Sequence, residues 1–300
     1  MQRTLVQRCR GVTLCEEGTM MRTSLILAVV CTLLATIPVM TAVAAPKTDR
    51  IKIHYAPPGE PEHKEVHDYL QEHRVLERLQ EFLSPFLLPR TLKIEVAGCD
   101  GEADAFYGDD VITICYEYVI YLWHNKPEKT TASGIAPADA VTGPFVDTSL
   151  HEFAHAIFDM FELPVLGPEE DAADLVAAYI YLQLGPVEAR RLIMGTAWAF
   201  MFEANKKGTP TMTEFADEHG TPAQRAYNVW CIAYGADSRL FDDIVSKGLL
   251  PMERAEYCDE EYEQIQHAFE DLISPHIDRA LAKKIFKRDW LGETATETPQ

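Results

Sequence analysis

His151 and His155 stand four residues apart, with Glu152 directly after the first, in Leu150-His151-Glu152-Phe153-Ala154-His155-Ala156-Ile157-Phe158. No other stretch constrains the chain as much. On an α-helix, residues four apart lie on one face, one turn above the other. Two imidazoles placed so can share one tetrahedral Zn²⁺, with Glu152 next to where a zinc-held water would sit. Phe153, Ala154, Ile157 and Phe158 are apolar, so this helix belongs inside a domain. With 47% of its 300 residues apolar, the chain can bury a core of the necessary size.

Two imidazoles leave such a site one protein ligand short. Glu170 lies 15 residues beyond His155, in Gly167-Pro168-Glu169-Glu170-Asp171-Ala172-Ala173-Asp174. Pro168 suits the first turn of a helix, and acids there favour the positive end of its dipole, which accounts for any one of these carboxylates. Glu170 and Asp174 also share a helix face, and the apolar run from Leu175 to Leu184 marks a helix packed into the core. Glu-x-x-x-Asp resembles the second-helix pattern of thermolysin-like zincins. That resemblance implies Glu170 as the third ligand and Asp174 as acceptor from a ring N–H of His151, a bond that fixes the tautomer. Glu169 and Asp171 stay rival ligands.

The stretch from His151 to Asp174 looks like the core of a bacterial family held to be zinc metallopeptidases on the strength of its motif. Two further stretches resemble that family: Cys99 through Tyr107 to Cys115-Tyr116-Glu117, and Gln224-Arg225-Ala226-Tyr227-Asn228 to Cys231 and Tyr234-Gly235. Together they cover most of residues 50–275. The resemblance implies a zincin-like fold, a Zn²⁺ cofactor and a peptide or protein substrate. Glu152 would serve as general base and hand its proton to the leaving amine. Thermolysin-like enzymes stabilise the oxyanion with a downstream His or Tyr, and the candidates here are His219, Tyr227 and Arg225. Each has a plainer reading: His219 as a surface turn histidine, Tyr227 (like Tyr234) as core packing, Arg225 as a partner of carboxylates. The same site would also serve an amidase acting on a non-protein bond, or a zinc-stabilised exported binding protein without turnover. Glu152 and an open fourth position speak against the last. No G-x-S-x-G, P-loop or dinucleotide fingerprint points elsewhere.

A net charge of −20 argues against nucleic acid as partner, since phosphates need Lys and Arg. At the N-terminus, Arg22 precedes an uncharged apolar run from Leu25 to Val39, followed by the small-x-small signal Ala42-Val43-Ala44. This is the layout of a secretory signal peptide over residues 1–44, with translation beginning at Met20 or Met21. No stable membrane span is expected after cleavage, and the product is periplasmic or secreted. Four cysteines then remain: Cys99, Cys115, Cys231 and Cys258. An even number in an exported chain points to disulfides. Of the three pairings, Cys99 with Cys115 and Cys231 with Cys258 closes the shortest loops and is the one expected.

Strands are expected over 51–55, 92–96 and 111–115, with Gly108-Asp109-Asp110 as a turn. The 111–115 strand is expected to be the edge that pairs with an extended substrate. Helices are expected over 61–84, 116–124, 146–161, 168–184, 187–205, 221–235 and 251–273, and a surface loop over 126–143. His63 and His67, also four apart, read as a solvated helix face because their Glu is misplaced and their surroundings charged. A small N-terminal sheet, an active-site helix and a mainly helical C-terminal part give an α+β fold. One domain over 45–291 and a disordered tail over 292–300 complete the expected organisation.

Overall fold

The computed structural model describes residues 50–292. The expected signal peptide, its start codon and all but the first residue of the expected tail lie outside the described residues. Within them the fold is α+β, a small mixed sheet followed by a mostly helical remainder.

In chain order the elements are β1 (Ile51–Tyr55), α1 (Pro61–Glu72), α2 (Val75–Leu83), β2 (Leu92–Ala97), β3 (Ala105–Gly108), β4 (Val111–Cys115) and α3 (Tyr116–Asn125). There follow α4 (Asp139–Met160), α5 (Glu169–Leu182), α6 (Pro186–Lys207), α7 (Pro222–Ala236), α8 (Asp242–Ser246), α9 (Met252–Ala255), α10 (Cys258–Leu272) and α11 (Arg279–Ile285). No helix among the described residues is long and apolar enough to cross a membrane.

The sheet runs β1-β2-β4-β3, with β1, β2 and β4 parallel and β3 antiparallel to β4. Alternation in β2 puts Leu92, Ile94 and Val96 on the covered face, all fully buried. Ile112 and Ile114 of β4 join them, each apolar side chain contributing roughly 1.5–3 kcal/mol by leaving water. The expectation for the sheet edge is corrected here: β4 lies inside, and the edges are β3 and β1. Asp109 and Asp110 both have positive φ, 52° and 62°, as a two-residue primed hairpin turn requires. That turn folds Ala105–Gly108 back as a strand too short to read from its sequence.

Two expected helices are broken. Residues 61–84 form α1 and α2, separated at Arg74, whose φ is 52°. Left-handed backbone at a non-glycine residue costs roughly 1–2 kcal/mol, offset by turning Leu76, Leu79 and Leu83 of α2 into the core. Residues 251–273 likewise divide into α9 and α10. His63 is not solvated as expected. It is buried against Tyr116, ring centroids 5.3 Å apart, with Glu117 at 3.4 Å.

α4 is the structural axis, packed on α3, α5, α6 and β3. It begins at Asp139, seven residues before the expected start, and passes through Gly143 and Pro144. Gly143 reads as a loop signal but serves a helix crossing: a Cβ there would lie 2.6 Å from the Thr196 backbone nitrogen on α6. Gly195 reciprocates, its Cβ position falling 2.1 Å from the Asp139 carbonyl oxygen. Both expected disulfides form, Cys99–Cys115 between the loop after β2 and the end of β4, and Cys231–Cys258 between α7 and α10.

Candidate metal centre

The inward face of α4 presents His151 and His155 to the first turn of α5. Their Nε2 atoms are 3.1 Å apart. Glu170 Oε2 lies 2.9 Å from His151 Nε2 and 3.3 Å from His155 Nε2. A tetrahedral zinc with donors roughly 2.0–2.1 Å away has edges of about 3.3 Å. The three atoms therefore form a triangle of suitable size, made of two imidazoles and one carboxylate.

Each histidine is held from behind by its other nitrogen. His151 Nδ1 meets Asp174 Oδ1 at 2.8 Å, and His155 Nδ1 meets Glu169 Oε1 at 2.8 Å. This leaves both Nε2 atoms turned toward Glu170, with the tautomer set by the carboxylate behind. Glu169, a rival ligand by sequence, stands behind His155 instead. Asp171, the other rival, directs its carboxylate toward Gly220.

Asp174 is itself gripped. Arg225 donates from Nε to Oδ2 and from Nη2 to Oδ1, both at 2.7 Å. Burial opposes charge on Asp174, but the Arg225 cation and the bonds from His151 outweigh it and hold the carboxyl well below the usual range. Asp147, one turn before His151 on α4, is 2% exposed and accepts from Tyr181 Oη at 3.0 Å. Burial, then the nearby Asp174 charge, push its carboxyl up.

The centre opens into a cavity of about 540 Å³. Glu152 lines it, and burial pushes its carboxyl up to about 7 against the pull of the two imidazoles. Glu170 goes the other way: its bond to His151 outweighs burial and holds it at about 2. Burial disfavours charge on His151, yet the bonds to Asp174 and Glu170 raise it to about 10. The clustered carboxylates thus favour positive charge where the three donor atoms meet. Ala105, Phe106 and Tyr107 of β3 line the cavity, as do the aromatic side chains of Tyr121, Trp198 and Phe202.

Residues 55–273 match the family DUF4344, described as "Putative metallopeptidase". The chain belongs to this metallopeptidase family. The match spans β2, β3, β4, α4, α5 and α7, so every residue of the centre falls inside it. No curated protein and no solved structure matches the chain. Membership carries a metal cofactor and peptide hydrolysis as the family's description, and the donor set just described fits a metal.

Of the residues expected to act, His151, Glu152, His155, Glu170 and His219 line one cavity, with Asp174 bonded to His151 from behind. Tyr227 does not. It is absent from the cavity walls and packs on Trp230, ring centroids 5.9 Å apart. Arg225 reaches the centre, but both its bonds go to Asp174. Asp147 escaped the sequence reading. Its signal was available: it lies four residues before His151 and so shares the ligand face.

Proposed function

We propose that this protein is an exported, zincin-like zinc metallopeptidase of the thermolysin-related kind. The observation that carries the reading is the convergence of His151 Nε2, His155 Nε2 and Glu170 Oε2 within 2.9–3.3 Å, on the wall that holds Glu152. His151, His155 and Glu170 would hold the zinc. Bound there, zinc supplies a Lewis acid and an acidified water.

The chain's own residues do the rest. Glu152 lies beside the donor triangle and takes a proton from the attacking water, then returns it to the leaving amine. Asp174, fixed by Arg225, keeps the His151 lone pair on Nε2 and aimed inward. Glu169 does the same for His155. β3, the edge strand that lines the cavity, offers backbone groups to an extended peptide. Of the three oxyanion-donor candidates, His219 alone lines the cavity without being committed to Asp174. The two disulfides support an oxidising compartment outside the cytoplasm, as the N-terminal sequence does.

The test is metal analysis joined to a peptide-library cleavage assay on wild type, Glu170→Ala and Glu152→Gln. Wild type should hold one zinc and cleave. Glu170→Ala should lose the metal, and Glu152→Gln should keep the metal but lose cleavage. Equal cleavage by Glu152→Gln and wild type would sink the mechanism.

A further inference from the structure

His219 occupies a position that its expected role does not explain. A donor waiting for an oxyanion would face open cavity. Instead, His219 Nε2 lies 2.9 Å from Glu170 Oε2. This is the same oxygen that meets Nε2 of His151 and of His155. His219 also stacks on the His151 ring, with centroids 5.9 Å apart and planes 21° apart. His151, Glu170 and His219 each present a ligand atom within 4.8 Å of the other two.

The inward turn of Nε2 repeats what is seen at the other two histidines, although the contact behind His219 is looser. His151 and His155 turn Nε2 inward and rest Nδ1 on a carboxylate. His219 also turns Nε2 inward, and its Nδ1 lies 3.6 Å from Asp217 Oδ1. The same Asp217 carboxylate accepts from the His219 backbone N–H at 3.0 Å. Three histidines from two separate parts of the chain thus turn Nε2 toward one carboxylate oxygen.

We infer that His219 is a fourth protein ligand of the metal in the resting enzyme, and that turnover requires it to leave. The inference rests on the zinc-site reading above. Four protein ligands close a tetrahedral zinc, as in structural sites, whereas catalysis needs one position for water or substrate. His219 is the ligand built to give way. Its side chain is 43% exposed, against 5% for His151, 14% for His155 and 20% for Glu170. It stands on the connection between α6 and α7, whose only regular element is the short turn Glu214–Ala216. The other three ligands are on long helices. Once released, its Nε2 is beside the cavity, free to donate to an oxyanion.

The experiment measures zinc affinity by chelator competition, and the visible spectrum of the cobalt-substituted protein, for wild type, His219→Ala and His219→Gln. Glu170→Ala is carried alongside. Both His219 variants should bind zinc at least about tenfold more weakly, a ligand counting for no less than an outer-shell partner. Their cobalt bands should change as water replaces the imidazole, while metal-free unfolding matches wild type. Unchanged zinc affinity and an unchanged cobalt spectrum in both variants would overturn the inference, even if activity fell. A wild type that takes up no zinc, or a Glu170→Ala protein that binds it as wild type does, would instead overturn the site reading beneath it.

Discussion

The two histidines of α4 differ in what stands behind them. Behind His151 lies Asp174, its side chain 8% exposed and bonded by two Arg225 nitrogens, with Asp147 and Tyr181 buried nearby. Behind His155 lies Glu169, 54% exposed. The bond lengths to the two rings are the same, 2.8 Å. Their energetic weight is not. A buried charge that loses its partner is stranded in a medium that cannot solvate it, whereas an exposed one turns to water. The His151 side is therefore fixed as the helices pack, and the side bearing His155 and His219 stays adjustable.

Cutting the buried half should cost most. Arg225→Met leaves Asp174 and Asp147 facing each other without their cation, and should lower stability by about 3–5 kcal/mol in urea unfolding. A loss below about 1 kcal/mol would remove the distinction between the halves. Zinc removal comes next. Free zinc at a hundred times its dissociation constant should stabilise wild type by about 2.7 kcal/mol over the chelated protein, and that increment should vanish in Glu170→Ala. Smaller again is Asp174→Asn, expected to weaken zinc binding about 10–100-fold through loss of the His151 orienter. Glu169→Gln should change zinc binding by at most about fivefold, the equivalent of roughly 1 kcal/mol for an exposed pair. If these last two variants were equal, burial would not be what separates the two shells.

The site was more legible in the sequence than the fold around it. His151, Glu152 and His155 are legible from their helical spacing, whereas for Glu170 and Asp174 spacing gives only a shared helix face and the resemblance to thermolysin-like zincins implies their roles. What spacing did not resolve was the choice among neighbouring acids. Glu169, Glu170 and Asp171 all sit in the first turn of α5. Only the angle at which α5 meets α4 sends Glu170 to the Nε2 atoms and Glu169 to the back of His155. Tyr227, an oxyanion-donor candidate that also reads as core packing, is placed by the same kind of geometry. It shares α7 with Arg225, but two residues along a helix is a rotation of about 200°, which turns it toward Trp230 and away from the cavity.

Local pattern, by itself, determined the α+β class, the helix that carries the histidines, the disulfide pairing and the pair of helices that meet at the site. These are matters of periodicity and short separations, which a chain expresses within a few turns. Tertiary structure alone decided that β3, not β4, is an edge strand, that Gly143 lies in a helix crossing rather than a loop, and that Arg225 locks Asp174 from 51 residues away. It also decided that His219 reaches the same carboxylate oxygen as the motif histidines. Each of these depends on how far apart two backbones come to rest, and that distance is set by the packing of whole helices and strands.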